Sequence, residues 1–309
     1  ALSTVFFTCD VSKNIDRQKI KRAKTLGSRD IVIVSDTIIW NGRKGEILRN
    51  VFEKPLHGVP KNEKSYNLIH IEKENVYSFR PTTIYISDDI LKYDFYEHRL
   101  SSGKIKTRIN ISSNVSEKEF IENCIKSFDK IKENELSVIR AKHQNLNNSF
   151  ATSYIKEAFN IDLYVPVDYT VLLNRNNVFQ AKSHLSDMKI KDEDTTVVRD
   201  IIKYIMVFEF QLNDNKTLDQ QILEKTNLFL KKYVTGNNVD QYLKVDIGQP
   251  LKQKNGQYSG MWTMNNAIMA GPIIIKARHY LNSIKVSLGI VYDPKGNKID
   301  HIRTFEAIL

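Results

Sequence analysis

The C-terminal stretch from Met261 to Leu309 concentrates the side chains that could carry chemistry. Its ionisable residues are Arg278, His279, Asp293, His301, Arg303 and Glu306. A general acid or base must lie within hydrogen-bond reach of its substrate, and nothing in this spacing fixes such a geometry. No two of the seven histidines have the i, i+4 spacing of a helical zinc site. A Gly-x-Ser-x-Gly elbow and a phosphate-binding glycine loop are also absent. We therefore predict a non-enzymatic protein with no catalytic, cofactor-binding or metal-binding residues.

Two tryptophans and two arginines are the candidate contacts for a ligand or partner. Trp40 and Trp262 each lie close to a glycine, where the indole could stack on a sugar or peptide, or could instead fill a core at the edge of an element. Arg303 and Glu306 lie three residues apart on a predicted helix, where they could pair or tie the helix to the sheet. Arg278 directly follows the predicted strand Ile268–Ala277. The candidate contacts are thus Trp40, Trp262, Arg278 and Arg303.

The charge balance leaves two interpretations open. The 309 residues carry 46 Lys+Arg against 36 Asp+Glu, for a formal net charge of +10. Lysines spread along the chain indicate a solvated surface or attraction to anionic lipid headgroups or nucleic acid. The sequence lacks zinc-finger spacing, an aromatic RNA-binding signature and a helix-turn-helix pattern, so we predict no nucleic-acid partner. No run approaches the roughly 20 apolar residues that span a bilayer.

The first residues resemble the end of a lipoprotein signal peptide. An apolar run from Ala1 leads to the small residue Thr8 and then to Cys9, which predicts lipidation at Cys9. A short apolar arm packed on a domain is the alternative, and cleavage after Thr8 stays open. The following basic segment could lie on anionic headgroups, gaining roughly 1 kcal/mol per basic side chain, or could be a solvated linker. An acyl chain and a basic patch together anchor more firmly than either alone.

Apolar periodicity predicts an N-terminal lobe over residues 30–150, after a signal-peptide remnant and basic tether over residues 1–29. Its expected strands are Asp30–Ser35, Tyr66–Ile71, Thr82–Ile86 and Ile105–Ile111, and its expected helices are Gly45–Phe52 and one from Ser116 to about Gln144. Ser116 and Glu119 form a capping box that starts the long helix. Cys124 falls on the apolar face of that helix, which indicates a small core residue.

A second lobe is predicted over residues 151–309. It begins with the end of a helix over Ser149–Asn160, and a helix over Leu218–Tyr233 follows in its middle. The expected strands are Leu163–Val165, Tyr169–Leu173, Val178–His184, Ile201–Leu212, Tyr242–Val245, Tyr258–Met264, Ile268–Ala277 and Lys285–Tyr292. The Gly271-Pro272 step predicts a bend or bulge in its strand. A closing helix should start near Asn297. The fold class is α+β, with two lobes that each pack a mainly antiparallel sheet with one or two helices.

With these landmarks the chain resembles an uncharacterised family of Bacteroidota envelope lipoproteins, domain of unknown function 4837. The likeness runs from Asp30 onward and rests on the order of weak motifs. These motifs are Ser35-Asp36, Trp40-Asn41-Gly42, Gly45–Arg49, Phe52, Pro55, Gly58-Val59-Pro60, Phe159, Leu163, Val165-Pro166, Tyr169, Asp200-Ile201-Ile202, Lys232-Tyr233-Val234, Gly236 and the C-terminal stretch. Two segments depart from the pattern: Ser259–Trp262 replaces the usual Arg-Gly-Leu-Trp, and Ala270–Ile273 replaces Gly-Gly-Pro-Phe.

The resemblance implies a location and a fold more than an activity. We expect an outer-membrane lipoprotein that faces the periplasm, is held by lipid on Cys9 and by the basic tether, and uses no cofactor. Its expected partners are envelope or outer-membrane proteins, as an accessory subunit of an assembly or transport complex. The alternative is a protein that binds or hydrolyses cell-wall or surface polysaccharide, which requires an exposed Trp40 or Trp262 beside carboxylates.

Overall fold

The computed structural model describes residues 27, 29–59, 62–72, 82–101, 105–175, 177–192, 195–213, 215–238, 240–246, 248 and 251–309. The predictions for Cys9 and for the tether up to residue 26 lie outside these described residues. The chain divides into two compact units. The N-terminal unit comprises the chain up to Lys54 and Lys64–Lys132, and the C-terminal unit comprises Pro55–Glu63 and Glu133–Leu309.

The N-terminal unit is built on a five-stranded sheet with the order β2-β1-β3-β5-β4. Its elements in chain order are β1 (Asp30–Val34), α1 (Thr37–Asn41), α2 (Arg43–Phe52), β2 (Asn67–Ile71), β3 (Thr82–Ser87), β4 (Asp94–Arg99), β5 (Ile105–Ser112) and the first part of α3 (Glu117–Asn145). The predicted strands and helices are all present, and β4 and α1 are additional elements. Strand β4 has a mainly polar sequence, so apolar periodicity does not predict it.

Strand pairing in this sheet differs from the expectation of a mainly antiparallel lobe. Strand β1 runs parallel to both β2 and β3, and β3 runs parallel to β5. Only the edge strand β4 is antiparallel, to β5. Helices α1 and α2 connect β1 to β2, and a crossover of this kind returns the chain in the same direction. The α+β class is confirmed, with parallel pairing dominant in this unit.

The core of the N-terminal unit explains the role of Cys124. Ile33 of β1, Leu48 of α2 and Phe120 of α3 are buried in the same apolar cluster as Cys124. Burial raises the pKa of the Cys124 thiol to about 12. The predicted role of Cys124 as a small core residue is therefore confirmed, and its thiol is held in the unreactive neutral form.

Helix α3 runs through the boundary between the two compact units. The boundary lies between residues 132 and 133, inside the helix, and not near residue 150. Its later turns carry Leu136 and Ile139, which pack against the main core of the C-terminal unit. The polar break at Asn145–Asn148 ends the helix, but packing of apolar side chains decides to which unit each turn belongs.

The C-terminal unit contains an eight-stranded sheet in which every recorded pairing is antiparallel. The order is β10-β11-β12-β13-β8-β7-β6, and β9 pairs with β11. Its elements in chain order are α4 (Ser149–Phe159), β6 (Thr170–Arg175), β7 (Val178–Asp192), β8 (Thr195–Gln211), α5 (Leu218–Tyr233), β9 (Leu243–Val245), β10 (Lys252–Lys254), β11 (Gln257–Met264), β12 (Ala270–Tyr280), β13 (Ser283–Tyr292) and α6 (Ile299–Ile308).

Both faces of this sheet are covered by helices. Along β8, Ile205 and Val207 lie in a cluster with α4, α6 and the last turns of α3, on what we call the α6 face. Met206 and Phe208 point the other way into a cluster with α5, on the α5 face. Successive side chains of a strand alternate between the faces, so each face contributes its own core. The long β8 therefore carries apolar side chains on both faces between Ile201 and Phe210, interrupted by Lys203 and Glu209, which explains its imperfect alternation.

Two local predictions in this unit are corrected by the structure. Leu163–Val165 does not form a strand: Leu163 and Val165 are buried, but the only bridge at this segment among the described residues is an isolated one between Asn147 and Pro166. The register between β11 and β12 continues through Gly271 and Pro272, so the expected bulge is absent. A Cβ atom on Gly271 would lie 2.1 Å from the carbonyl oxygen of Val291. Close approach of backbone, and not a turn, requires this glycine.

Candidate binding pocket

A pocket of about 390 Å³ opens on the α5 face of the C-terminal sheet. Its lining residues come from β7, β8, β9, β11 and β13, the segment after α5, and the turn between β11 and β12. They are Lys182, Ile202, Tyr204, Val234, Thr235, Gly236, Asn237, Gln241, Leu243, Trp262, Met264, Ala267, Met269, Ile290 and Tyr292. The volume falls in the range of roughly 300–1,000 Å³ that is usual for small-molecule sites.

The pocket has an apolar floor, aromatic and thioether walls, and a polar rim. Its floor consists of the buried residues Val234, Leu243, Trp262 and Ile290. The walls are half-buried side chains, namely Tyr204, Met264, Met269 and Tyr292. The rim carries Lys182, Thr235, Asn237 and Gln241, and Lys182 is the only one of the lining residues with a charge. Such a surface suits a ligand with a mainly apolar body.

The segment after α5 is held in place by its own backbone. The Gly236 N–H donates to the Gln241 carbonyl at 2.7 Å, and the Gln241 N–H donates to the Asn238 carbonyl at 3.0 Å. The Leu243 N–H donates to the Val234 carbonyl at 3.2 Å, just before β9. Gly236 and the asparagines end the helix, as predicted from the sequence, and the turn that they form becomes one side of the pocket.

Trp262 forms part of the floor and offers no exposed face for stacking. Its side chain is about 2% exposed, and its indole Nε1–H donates to the carbonyl oxygen of Val291 at 3.3 Å. Gly271 lies against the indole, because a Cβ atom there would come within 3.0 Å of Nε1. The ring centroid of Tyr292 is 6.4 Å away. The structure thus places Trp262 as a core residue beneath the pocket.

Trp40 belongs to the N-terminal unit and is half-buried. Its ring stacks on His70 with centroids 4.9 Å apart and planes 2° from parallel. The Arg49 guanidinium lies 4.8 Å from the Trp40 ring centroid, close enough for a cation–π interaction. Both contacts are made within the unit itself, so they hold the indole in one orientation.

Arg303 lies on the α6 face and links three elements. It is about 2% exposed, and its guanidinium pairs with Glu306 at 2.7 Å and with Glu135 of α3 at 3.2 Å. Gln257 of β11 donates to the other carboxylate oxygen of Glu306 at 3.2 Å. A buried guanidinium is tolerated only when carboxylates compensate its charge. Arg303 therefore pairs with Glu306 and ties α6 to α3, and the contact between Glu306 and Gln257 joins this pair to the sheet. Both roles that the spacing suggested are present.

Arg278 is half-buried and lies at the C-terminal end of α6. Its guanidinium donates to the Ser287 hydroxyl at 2.9 Å and to the carbonyl oxygen of Leu309. Arg140 donates to the carbonyl oxygen of Ala307 at 2.8 Å. Burial lowers the pKa of Arg278. Cations at a helix C-terminus satisfy its free carbonyl groups and oppose the helix dipole, so Arg278 also stabilises α6.

A polar cluster that the sequence did not reveal lies on the α6 face. Ser183 of β7 and Lys203 of β8 are cross-strand neighbours, and both donate to Asp168 Oδ2 at 2.8 Å. Burial alone would raise the pKa of Asp168, but the hydrogen bonds from Lys203 and Ser183 outweigh it and lower that pKa. Lys203 and Ser183 thus both serve the same carboxylate oxygen, and the cluster ties Asp168 to β7 and β8.

A second polar pair joins two of the ionisable residues from the C-terminal stretch. Asp293 is buried, and its carboxylate accepts the Gly296 N–H at 2.8 Å and lies 3.3 Å from His301 Nε2. Burial lowers the pKa of His301, against the effect of its hydrogen bond with Asp293. Only strand and helix packing brings these groups together, which is why spacing along the chain could not predict the contact.

Within the described ranges, no group of three or more histidine, cysteine, aspartate or glutamate side chains could hold a metal ion. No helix in the same part of the chain is long and apolar enough to cross a membrane.

Comparison with family models assigns the part of the chain that contains the pocket to a protein family. The chain belongs to the DUF4837 family, a domain of unknown function, whose model matches residues 148–309. A second model, the domain of unknown function DUF8532, matches residues 27–84. None of the curated proteins compared with the chain matches it. The resemblance to an uncharacterised family is confirmed for residues 148–309, whereas residues 27–84 match a different model.

Proposed function

We propose that this protein is a non-enzymatic envelope lipoprotein of Bacteroidota. It is anchored to the outer membrane by lipid on Cys9, faces the periplasm, and serves as an accessory subunit of an assembly or transport complex. Support for the anchor comes from the apolar run that ends at Thr8 and from the basic segment after Cys9. Support for a protein-binding role comes from one surface of the C-terminal unit.

That surface, the interaction patch, consists of Leu146, Phe150 and Val167. Their side chains are 57%, 62% and 68% exposed. Single exposed apolar residues are common, but neighbouring ones on a surface are typical of protein–protein contacts. The antiparallel bridge between Asn147 and Pro166 places Leu146 opposite Val167, and Phe150 follows in the first turn of α4. This patch is the observation that carries the proposed role.

The backbone beneath the interaction patch is rigidly connected. The Asn148 N–H donates to the Val165 carbonyl at 2.7 Å. Its side chain caps α4 by accepting the Ala151 N–H at 3.1 Å, and donates to the Tyr169 carbonyl at 3.2 Å. A surface that is preorganised in this way loses little conformational freedom on binding, which favours recognition of a folded partner.

The polar groups of the same unit favour binding over catalysis. Arg303 is paired with Glu135 and Glu306, and Lys203 is paired with Asp168. These charged groups serve internal contacts that link helices to the sheet. A partner would therefore meet an apolar surface, not a set of groups arranged for proton transfer.

The anchor can be tested with the two cysteines of the chain. We expect mass spectrometry of native membranes to show acylated Cys9 as the first residue, and Cys9→Ser to release the protein from the membrane. Cys124→Ala is the matched control, because Cys124 is buried in the N-terminal core, and this variant should remain membrane-bound. Recovery of unmodified Cys9 with Ala1–Thr8 still attached would overturn the anchoring part of the proposal.

The partner role can be tested by affinity purification from native membranes. The variant Phe150→Glu with Val167→Lys should lose the proteins that co-purify with the wild type. Leu281→Lys is the control, because Leu281 is exposed in the same unit but lies in the turn between β12 and β13. If the patch variant retains the same partners as the control, the interaction patch does not carry the function.

A further inference from the structure

We infer that the pocket above Trp262 binds a small amphiphile with an apolar chain and a single anionic head group, and that Lys182 is its counter-ion. This inference goes beyond the proposed function and does not depend on it, since the interaction patch and the pocket use different residues. Three features of the pocket point to this ligand: an apolar floor, a single charged lining residue and the internal hydrogen bonds of Gln241.

The lining favours a ligand with an apolar body. Floor residues such as Ile290 and Leu243 are aliphatic and buried, and the walls add the side chains of Met264 and Met269. Methionine side chains are flexible and polarisable, so they adapt to chains of different shape. Displacement of water from the aliphatic floor by an apolar chain favours binding.

The charge of the pocket favours an anionic head group. Lys182 is the only ionised residue among the lining residues, and no carboxylate lines the pocket with it. Its ammonium lies 5.6 Å from the ring centroid of its cross-strand neighbour Tyr204, which holds it on the α5 face. An anion beside this ammonium gains a charge-assisted hydrogen bond, whereas a cation would be repelled.

The hydrogen bonds of Gln241 on the rim argue against a sugar as the ligand. Gln241 already accepts the Asn238 N–H at 3.3 Å, and its amide nitrogen lies 3.5 Å from the Asn266 carbonyl oxygen. A sugar presents many hydroxyl groups that need directed partners, and a buried hydroxyl without one is costly. An amphiphile with one charged end needs few directed partners, and Lys182 is the one charged residue among the lining residues.

The experiment uses three probes with one chain length and different heads: decanoate and decyltrimethylammonium below their micellar concentrations, and decanol below its solubility limit. The chain has two tryptophans, so Trp40→Phe leaves Trp262 as the only indole reporter in the pocket. Calorimetry on the wild-type protein provides a second measurement that needs no substitution. We expect saturable binding of decanoate, at least about tenfold tighter than decanol, and no binding of decyltrimethylammonium.

Two variants and a control assign the binding to the pocket. Lys182→Gln should reduce decanoate affinity to that of decanol, and Ala267→Phe should fill the pocket and abolish binding of both. Lys285→Gln is the matched control, because the Lys285 ammonium also lies over a tyrosine ring, 4.2 Å from the Tyr280 centroid, and lines no part of the pocket. Circular dichroism establishes that each variant is folded.

Two results would overturn the inference. Equal affinity for decanoate and decanol, or an unchanged affinity of Lys182→Gln, would remove Lys182 as counter-ion. Absence of any saturable signal from all three probes, in both fluorescence and calorimetry, would remove the pocket as a site for amphiphiles. Neither result bears on the anchor or on the interaction patch, so failure here is distinguishable from failure of the proposed function.

Discussion

The carboxylate of Glu63 caps the helix that starts after Lys298, which lies 235 residues further along the chain. Glu63 Oε2 accepts the backbone N–H of Lys298 at 2.7 Å and that of Ile299 at 3.1 Å. The N-cap residue Lys298 makes no side-chain cap of its own. A carboxylate at this position satisfies two free N–H groups and opposes the positive end of the helix dipole.

Removal of this cap should destabilise α6. We expect Glu63→Ala to lower the free energy of unfolding by roughly 0.5–2 kcal/mol, the usual cost of losing an N-cap acceptor. Glu63→Gln retains an acceptor oxygen but loses the charge, so its effect should be smaller. Urea denaturation and hydrogen exchange of the α6 amides measure the effects of both substitutions. The exposed Glu157→Ala is the control, and an equal effect of Glu63→Ala and Glu157→Ala would contradict the capping role.

Arg303 should be among the most sensitive positions of the C-terminal unit. Arg303→Met leaves Glu135 and Glu306 without their buried counter-ion, and we expect a loss of roughly 3–5 kcal/mol in unfolding free energy. The double variant Arg303→Met with Glu306→Leu removes one of the stranded charges and should recover part of the loss. Chemical denaturation of the four proteins in this cycle measures the coupling, and strictly additive effects would contradict a direct pair.

Stability should fall as the solution becomes acidic, through His301. Burial lowers the pKa of His301 below its usual 6.5, despite the Asp293 hydrogen bond; Lys203 also lowers it and Asp300 raises it. As pH falls through 6.5, the unfolded state therefore takes up the proton first, and the free energy of unfolding decreases. Above that pH neither state is protonated at this site, and the contribution vanishes.

Melting curves from about pH 8 to about pH 5 test this dependence. His301→Gln should show a flatter stability profile than the wild type over the lower half of that range. The exposed His279 serves as the control, since His279→Gln should retain the wild-type slope. A slope that is the same in all three proteins would show that His301 does not contribute.

Gly271 should tolerate no side chain. In Gly271→Ala the new methyl group would lie 2.1 Å from the Val291 carbonyl oxygen and 3.0 Å from Trp262 Nε1, so β12 or the indole must shift. Overpacking of this kind costs roughly 1–3 kcal/mol. We expect a lower melting temperature and a red-shifted Trp262 emission. Gly248→Ala, which meets only the Asp246 side chain at 3.5 Å, should leave both unchanged.

Periodicity and caps in the sequence determined most elements of this protein. Helix α5 has the predicted bounds Leu218–Tyr233, and its N-terminus is a capping box formed by Thr217 and Gln220. The apolar face of α3 correctly placed Cys124 in a core. These features depend on residues within a few positions of each other, so a linear pattern contains the information needed to predict them.

Only the tertiary structure decided how the elements meet. The parallel pairing of β1 with β3, the position of Asp168 between Ser183 and Lys203, and the cap from Glu63 to Lys298 all join distant segments. The pocket likewise combines β7, β8, β11 and β13 with the turn after α5. Chain crossover and strand register set these contacts, and both depend on packing of the whole unit. Neighbouring residues therefore specified the elements, and packing between distant segments specified the sites.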